Sequence, residues 1–417
     1  MRTQAKRLAA IVVGVVFFGA ASLIPAPTWG ADKPKDKATV SAAASKPLKA
    51  AQDALAAQDF PGALTHLKEA QDLPTKTDFD EFTTNQMFLF AYLHTNDYAN
   101  AEKMLEAVIG SPYLDKADLP ARVRMLTQIN YQLKDYDKAI QYGTRAVKDG
   151  DANDDVYTII DQSYYLKGDY KAALQALTDH VDGLIKNGQT PPEERLTLLM
   201  SACIKLNDAE CIARALDRIV TYYPKPVNWQ NALYTMIQAP GQNEKVLLQL
   251  YRLALDVDVL KRPEDYIEMA NLANAQGSPG EAERVLEAGQ QKGMFKDAAI
   301  KAHSSQMLAA MKKQTEVDKA SLPKIAADAA AAKSGSKDVG LGLAYFSYQQ
   351  YDKAAEALSS GLTKGDVRNE PDARLLLGIA QLRAGKKDDA VKTFDLVKGD
   401  PKLEHLATLW KVRAQHA

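Results

Sequence analysis

Two cysteines and six histidines are the side chains of this sequence that are best suited to bind a metal ion or to attack a substrate. Cys203 and Cys211 flank the predicted turn at Asn207-Asp208. In an oxidising compartment they could form a disulfide between two helices; the alternative is two buried thiols that act as small apolar side chains. The histidines are scattered and form no H-E-x-x-H motif: His66, His94, His180, His303, His405 and His416. We therefore predict no metal site and no cofactor.

Other motifs that look catalytic have a simpler explanation. GLGLAY at residues 340–345 lacks the third glycine of a dinucleotide-binding loop and the strand before it. AGKKDD at residues 384–389 lacks the Ser/Thr of a phosphate-binding loop. The acidic pairs Asp154-Asp155 and Glu193-Glu194 stand at predicted helix starts, where the helix dipole favours negative charge. No catalytic constellation results, and we predict that the chain is not an enzyme.

A repeated pattern predicts the elements that carry the remaining side chains. YQLKDYDKAIQYGTRAV at residues 131–147 is followed 34 positions later by YLKGDYKAALQALTDHV at residues 165–181. Each copy reads as a helix, a turn with an Asp-aromatic pair, and a second helix that begins near a small residue. The pattern recurs at Asp59-Phe60 with Ala63, Asp97-Tyr98 with Ala101, Asp135-Tyr136 with Ala139, and Asp169-Tyr170 with Ala173.

This pattern resembles the tetratricopeptide repeat, a pair of helices about 34 residues long. Leu341-Gly342 with Tyr345 matches the first-helix signature of that family, and Leu377-Gly378 matches part of it. The resemblance extends over residues 48 to about 401, including one degenerate unit expected within residues 297–333. It implies an all-α fold, namely a right-handed α-solenoid of about ten stacked helix-turn-helix repeats with a C-terminal capping helix.

The resemblance also implies a concave surface lined by the first helix of each repeat. On the third to fifth units the expected stripe consists of Arg124, Gln128, Tyr131, Thr158, Gln162, Tyr165, Thr197 and Ser201. Tyr and Arg often anchor partner proteins, and Gln and Thr can bond to a peptide backbone. The alternative is that the tyrosines only pack between neighbouring repeats. We predict that the stripe binds a partner.

The N-terminus has the composition of a secretory signal peptide. Arg2, Lys6 and Arg7 precede an uncharged apolar run at residues 8–24, and small residues follow near Ala31. An uncleaved inner-membrane anchor is the alternative reading. Removal of residues 1–31 would leave a net charge of −4, since it removes three basic residues from a chain of net charge −1. We therefore predict no nucleic-acid partner.

We divide the sequence into six segments. They are a signal peptide (1–31), a flexible linker (32–47), N-terminal repeats (48–225), degenerate helical repeats (226–333), C-terminal repeats (334–401) and a capping helix (402–417).

The functional expectation is a non-catalytic scaffold in a Gram-negative-type periplasm. The scaffold would bind an envelope protein or an extended peptide in its groove, without a small-molecule substrate. Similar exported repeat proteins accompany envelope machines, and the spread-out, degenerate repeats with a long C-terminal block look more like the TonB-associated kind. Two alternatives stay open. One is a membrane-anchored structural tether. The other is an accessory subunit of a cell-wall enzyme, which would need paired carboxylates in a cleft.

Overall fold

The computed structural model describes residues 38–416, and all regular secondary structure in this range is helical. The predicted signal peptide lies outside the described residues. Twenty helices in the described range pack mainly against their neighbours in sequence, in tetratricopeptide-like pairs, which confirms the predicted all-α solenoid of helix pairs. The chain divides after Asp208 into two compact units, unit 1 and unit 2, whereas the sequence suggested a first boundary at residue 225.

Unit 1 is built from four helix pairs and one further helix in its described part. These helices are α1 (Ala42–Ala56), α2 (Phe60–Gln71), α3 (Asp78–His94), α4 (Tyr98–Gly110), α5 (Leu119–Gln132), α6 (Tyr136–Lys148), α7 (Asp154–Leu166), α8 (Tyr170–Lys186) and α9 (Glu193–Lys205).

The repeated Asp-aromatic turn works as a helix cap. The Asp135 carboxylate accepts a hydrogen bond from the backbone N–H of Lys138 at 3.1 Å, which satisfies a free donor of the first turn of α6. The preceding Lys134 has a φ of 60°, so the chain reverses direction within one residue. Ala139 is fully buried, and its small side chain lets α6 approach α5 closely. The same cap occurs at Asp59, Asp97 and Asp169.

The first helix begins earlier than expected. Helix α1 starts at Ala42, so residues 42–47 are helical and not part of the linker that we placed at residues 32–47. Ser41 caps this helix with its side chain, and its backbone N–H donates to Asp80 Oδ1 at 2.8 Å. Pro47, which we took as the end of the linker, lies inside α1.

Unit 2 begins with the helix that follows the Asn207-Asp208 turn. Its helices are α10 (Ala209–Tyr222), α11 (Pro226–Ile237), α12 (Glu244–Asp256), α13 (Pro263–Ala275), α14 (Pro279–Gln291), α15 (Ala298–Ala331), α16 (Ser336–Ser347), α17 (Tyr351–Lys364), α18 (Glu370–Arg383), α19 (Lys387–Asp395) and α20 (Pro401–Gln415).

Helix α15 corrects one sequence prediction. We expected a degenerate helix pair within residues 297–333, but the segment forms one helix of 34 residues. It is rich in alanine and contains no glycine that could form a turn, so nothing interrupts the helix. Pro323 lies inside it without ending it. A single helix therefore stands where the repeat pattern requires two.

The unpaired helix changes which helices of unit 2 face one another. Helix α16, the first of its pair, contacts α14, which is the second of an earlier pair. The closing helix α20 packs on α18 and α19, as a cap should, and also on α10 and α12.

Candidate partner-binding face

The eight predicted binding residues lie on three first helices of unit 1. Arg124, Gln128 and Tyr131 are on α5, and their spacing of four and then three residues places them on one side of that helix. Thr158, Gln162 and Tyr165 repeat the spacing on α7, and Thr197 and Ser201 on α9. We call the surface formed by these eight residues the first-helix face of unit 1.

Two members of the first-helix face bond across neighbouring repeats. The Tyr131 hydroxyl donates to Gln162 Oε1 at 2.6 Å, and both side chains are only partly buried. This bond leaves the Gln162 amide N–H groups as donors and fixes the orientation of both side chains. Burial raises the pKa of Tyr131, so its hydroxyl remains protonated and can donate.

Each tyrosine also packs against the first residue of the following helix. Tyr131 and Tyr136 have ring centroids 6.1 Å apart, and Tyr165 and Tyr170 are 5.3 Å apart, both in edge-to-face geometry. Both Tyr131 and Tyr165 are partly buried as whole side chains. The packing role that we gave as the alternative is therefore real, and it coexists with exposure.

The polar members of the face make several bonds within the chain. The Arg124 guanidinium donates to Asp151 at 2.9 Å, which ties α5 to the loop before α7. Thr158 accepts a hydrogen bond from Arg195 Nη2 at 2.9 Å. The hydroxyl of Ser201 donates to the Thr197 carbonyl at 2.9 Å. Gln128 is exposed and is the member of the face best placed to meet a partner.

A buried ion cluster beside this face was missed in the sequence. The Asp161 carboxylate is 2.7 Å from His180 Nδ1 and 3.2 Å from Arg195 Nε. Arg195 also reaches Asp154 at 2.6 Å, and the ring of Tyr157 packs on His180 at 4.2 Å between centroids. Burial raises the pKa of Asp161, and the contacts with His180 and Arg195 oppose that shift. The cluster joins α7, α8 and α9.

The sequence did contain one local signal for this cluster, namely the position of Asp161 in the repeat. Asp161 aligns with Gly342 and Gly378, where the repeat favours a small residue. A carboxylate at such a position must be buried against the next helix and therefore needs a cationic partner. That partner, Arg195, is 34 residues away and carries no signal of its own.

The matching positions in unit 2 are covered by the chain itself. Phe346 precedes Tyr351 by five residues, as Tyr165 precedes Tyr170, so Phe346 and Ser347 correspond to Tyr165 and Leu166. Phe346 and Ser347 are 1% and 0% exposed, whereas Leu166 is 44% exposed.

Helices α12 and α14 supply the cover, and the backbone N–H of Glu281 on α14 donates to the Ser347 hydroxyl at 3.1 Å. The Arg252 guanidinium lies over the Phe346 ring at 5.1 Å and forms two hydrogen bonds to Glu281, at 2.9 and 2.6 Å. One turn further along α12, Asp256 accepts from Arg383 at 3.1 Å and from Arg413 at 2.8 Å. Unit 2 thus covers Phe346 and Ser347 with its own side chains, whereas at the matching positions of unit 1 Tyr165 is partly buried and Leu166 is exposed.

The cysteines Cys203 and Cys211 are both buried, and each is disulfide-bonded. Within the part of the chain that the structure describes, no three His, Cys, Asp or Glu side chains are placed to hold a metal ion. Among residues 38–416, no helix is both long and apolar enough to cross a membrane.

Residues 339–403 match the tetratricopeptide repeat family model, so the repeats of helices α16 to α19 are of this type. The match spans the two pairs in which the Leu-Gly signatures had indicated the same resemblance. No curated protein sequence matches the chain.

Three solved structures with a similar arrangement are distant in sequence. The C-terminal part of a tetratricopeptide repeat-containing protein from Cytophaga hutchinsonii is 13% identical, with a TM-score of 0.33, over 63% of this chain and 95% of that chain. The TPR2AB domain of yeast Sti1, solved in a complex with an Hsp90 peptide, is 16% identical, with a TM-score of 0.33, over 64% and 98%. A tetratricopeptide repeat protein from Parabacteroides merdae is 14% identical, with a TM-score of 0.30, over 79% and 98%. These likenesses carry no argument about what the chain binds.

Proposed function

We propose that this protein is a non-catalytic scaffold that binds a partner protein on the first-helix face of unit 1. One observation carries the proposal: Phe346 and Ser347 on α16 are buried, whereas at the matching positions on α7 Tyr165 is partly buried and Leu166 is exposed. Leu166 is 44% exposed where Ser347 is 0% exposed. An apolar and aromatic surface that the fold could cover, and leaves open, is suited to a partner.

The chemistry of the face supports a protein ligand. Tyr131 and Tyr165 offer large rings with few rotatable bonds, which are favourable anchors in interfaces. Gln128 and Gln162 offer amide groups that match a peptide backbone in an extended or irregular segment. The bond between Tyr131 and Gln162 already fixes two of these side chains, so a partner loses less free energy in ordering them.

We further propose that the protein is exported to the periplasm and serves an envelope complex. The basic residues at positions 2, 6 and 7, followed by the apolar run at 8–24, support export. The disulfide-bonded state of Cys203 and Cys211 is in keeping with an oxidising compartment. Mass spectrometry of the N-terminus of the cell-made protein tests this: a start near residue 32 is expected. A start at residue 1 would favour a membrane-anchored tether.

Photo-crosslinking in cells tests the binding proposal. A photoreactive residue replaces Tyr131, Gln162 or Tyr165, and the control replaces Lys171, which is exposed on the second helix α8. We expect one protein partner to be captured from all three face positions and not from Lys171. Capture from Lys171 alone, or of no protein from any position, would rule out this face as the binding surface.

A further inference from the structure

In unit 2, side chains of one helix, α12, reach two first helices, α16 and α18, and the groups that receive them recur in unit 1. Three residues of α12 lie on one side of that helix, at Gln249, Arg252 and Asp256. Gln249 donates to Asp372 on α18 at 2.8 Å. Arg252 lies over Phe346 and also bonds to Glu281, and Asp256 bonds to Arg383 and to Arg413. The amide of Gln249 therefore meets an acid, and the guanidinium of Arg252 meets an aromatic ring. The carboxylate of Asp256 meets a cation.

Unit 1 carries the same three receiving groups in the same repeat positions. Tyr165 corresponds to Phe346, and the pairs Tyr165-Tyr170 and Phe346-Tyr351 are both edge-to-face, with centroids 5.3 and 5.5 Å apart. On the next first helix, Glu194 and Lys205 are 11 residues apart, as are Asp372 and Arg383. The acid and the cation therefore stand at matching places on α9 and α18.

In both units the cation also lies over the tyrosine that begins the second helix of the pair. Lys205 Nζ is 5.8 Å from the ring centroid of Tyr170, and Arg383 Cζ is 5.8 Å from that of Tyr351. Two repeats of one chain thus share an arrangement of four groups. In unit 2 this arrangement holds a helix, whereas in unit 1 Glu194 and Lys205 are exposed.

We infer that Tyr165, Tyr170, Glu194 and Lys205 form a docking site for a partner helix with the pattern Gln-x-x-Arg-x-x-x-Asp, the pattern of α12. The partner's arginine lies on the Tyr165 ring, its aspartate pairs with Lys205, and its glutamine donates to Glu194. This inference rests on the proposed function and names the chemistry of the partner.

The charge of unit 1 favours such a ligand. Residues 38–208 contain 25 acidic and 17 basic side chains, a net charge of −8. An arginine-bearing helix is attracted to that surface, and the ring of Tyr165 then gives its guanidinium a defined position. A purely acidic segment is repelled by the same field.

The test uses the full chain and a labelled peptide of residues 242–257, which contains the pattern, with binding followed by fluorescence anisotropy. We expect Tyr165→Ala to weaken binding about tenfold, and Tyr165→Phe, which keeps the ring, to change it less than about threefold. Lys171→Ala on α8 serves as the matched control and should bind normally. Circular dichroism and thermal melts of each variant verify the fold.

A charge exchange tests the second contact. Lys205→Glu should weaken the peptide about tenfold, and the peptide carrying Asp256→Lys should bind that variant better than it binds the original protein. If the peptide binds Tyr165→Ala and Lys205→Glu as well as it binds the original protein, or if the exchange gives no recovery, the docking site is refuted.

The outcomes also separate the two proposals. If the peptide fails to bind while crosslinking at Tyr165 captures a partner, the helix pattern is wrong and the scaffold proposal stands. If the peptide fails and crosslinking captures nothing, both proposals fall.

Discussion

Single residues decide how the repeats of unit 1 are joined, and Asp161 is the clearest case. Its side chain is 2% exposed and lies between His180 and Arg195, whose own side chain is 5% exposed. A buried carboxylate costs desolvation free energy, which its two partners offset. Because the partners come from α8 and α9, the cluster fixes the register of three successive helices.

Replacement of Asp161 should therefore destabilise unit 1 strongly. Asp161→Asn leaves the buried Arg195 guanidinium without its inner partner, and we expect a loss of about 3 kcal/mol in unfolding free energy. Hydrogen-exchange protection of amides in α7 and α9 measures the loss. Asp137→Asn, at a carboxylate that is 80% exposed, is the control and should change little. Equal protection in both variants would show that the cluster does not stabilise the fold.

The stability of unit 2 should depend on pH because of a histidine, His405. His405 Nε2 on α20 is 2.7 Å from the Asp217 carboxylate on α10, and this bond raises the pKa of His405 above its ordinary value of 6.5. The protonated form is therefore favoured in the folded state. Its stabilisation is fully present below about pH 6.5 and is lost as the pH rises through the raised pKa.

Thermal denaturation between about pH 6 and about pH 8.5 checks this expectation. The melting temperature of unit 2 should fall with rising pH in the original protein and should fall less in His405→Gln. A pH dependence that is the same in both proteins would contradict the assigned role of His405.

At the scale of elements, the same aspartate cap occurs at the turn of each of the four helix pairs of unit 1. Asp169 accepts a hydrogen bond from the Ala172 N–H at 3.1 Å, and Gly168 before it has a φ of 87°. Asp169→Ala should cost about 1 kcal/mol in the stability of unit 1, because the first turn of α8 loses its cap. Urea denaturation measures the loss, and Lys171→Ala in the same turn is the control. A loss as small as that of the control would contradict the capping role.

The sequence predicted these turns because their chemistry is local: an aspartate, an aromatic residue and a small residue within five positions. It did not predict α15, since an alanine-rich segment satisfies helix propensity whether or not the fold places a turn in it. Pro47 was read as a boundary for a similar reason. A proline lowers the probability of a helix. The start of α1 before Pro47 is fixed by Ser41, whose backbone N–H bonds to the distant Asp80 and which carries no signal in the local sequence.

At the scale of the whole molecule, the repeats follow one pattern but serve two purposes. In unit 2, side chains of α12 and α14 cover Phe346 and Ser347, and in unit 1 the matching Leu166 stays exposed. The stripe of eight residues was predictable from repeat positions alone. The covering of Phe346 was not, because Arg252 is 94 residues away and its pairing depends on the odd helix α15.

Unit 2 should accordingly depend on Arg252. Arg252→Ala leaves the Glu281 carboxylate, which is 4% exposed, without its bidentate partner and uncovers Phe346. We expect a loss of about 3 kcal/mol in unit 2, with unit 1 unchanged. Hydrogen exchange should show faster exchange in α12 and α14 and not in α5 or α7. Lys245→Ala, exposed on α12, is the control, and protection unchanged by Arg252→Ala would contradict this role.

Hydroxyl-radical footprinting of the full chain tests the central claim most directly, because it compares side chains at matched repeat positions in one sample. We expect Tyr165 and Leu166 to be oxidised several times faster than Phe346, and to become protected when the partner captured at Tyr165 is bound. Oxidation of Tyr165 and Leu166 as slow as that of Phe346, or no protection by the partner, would contradict the claim that unit 1 presents the open binding face.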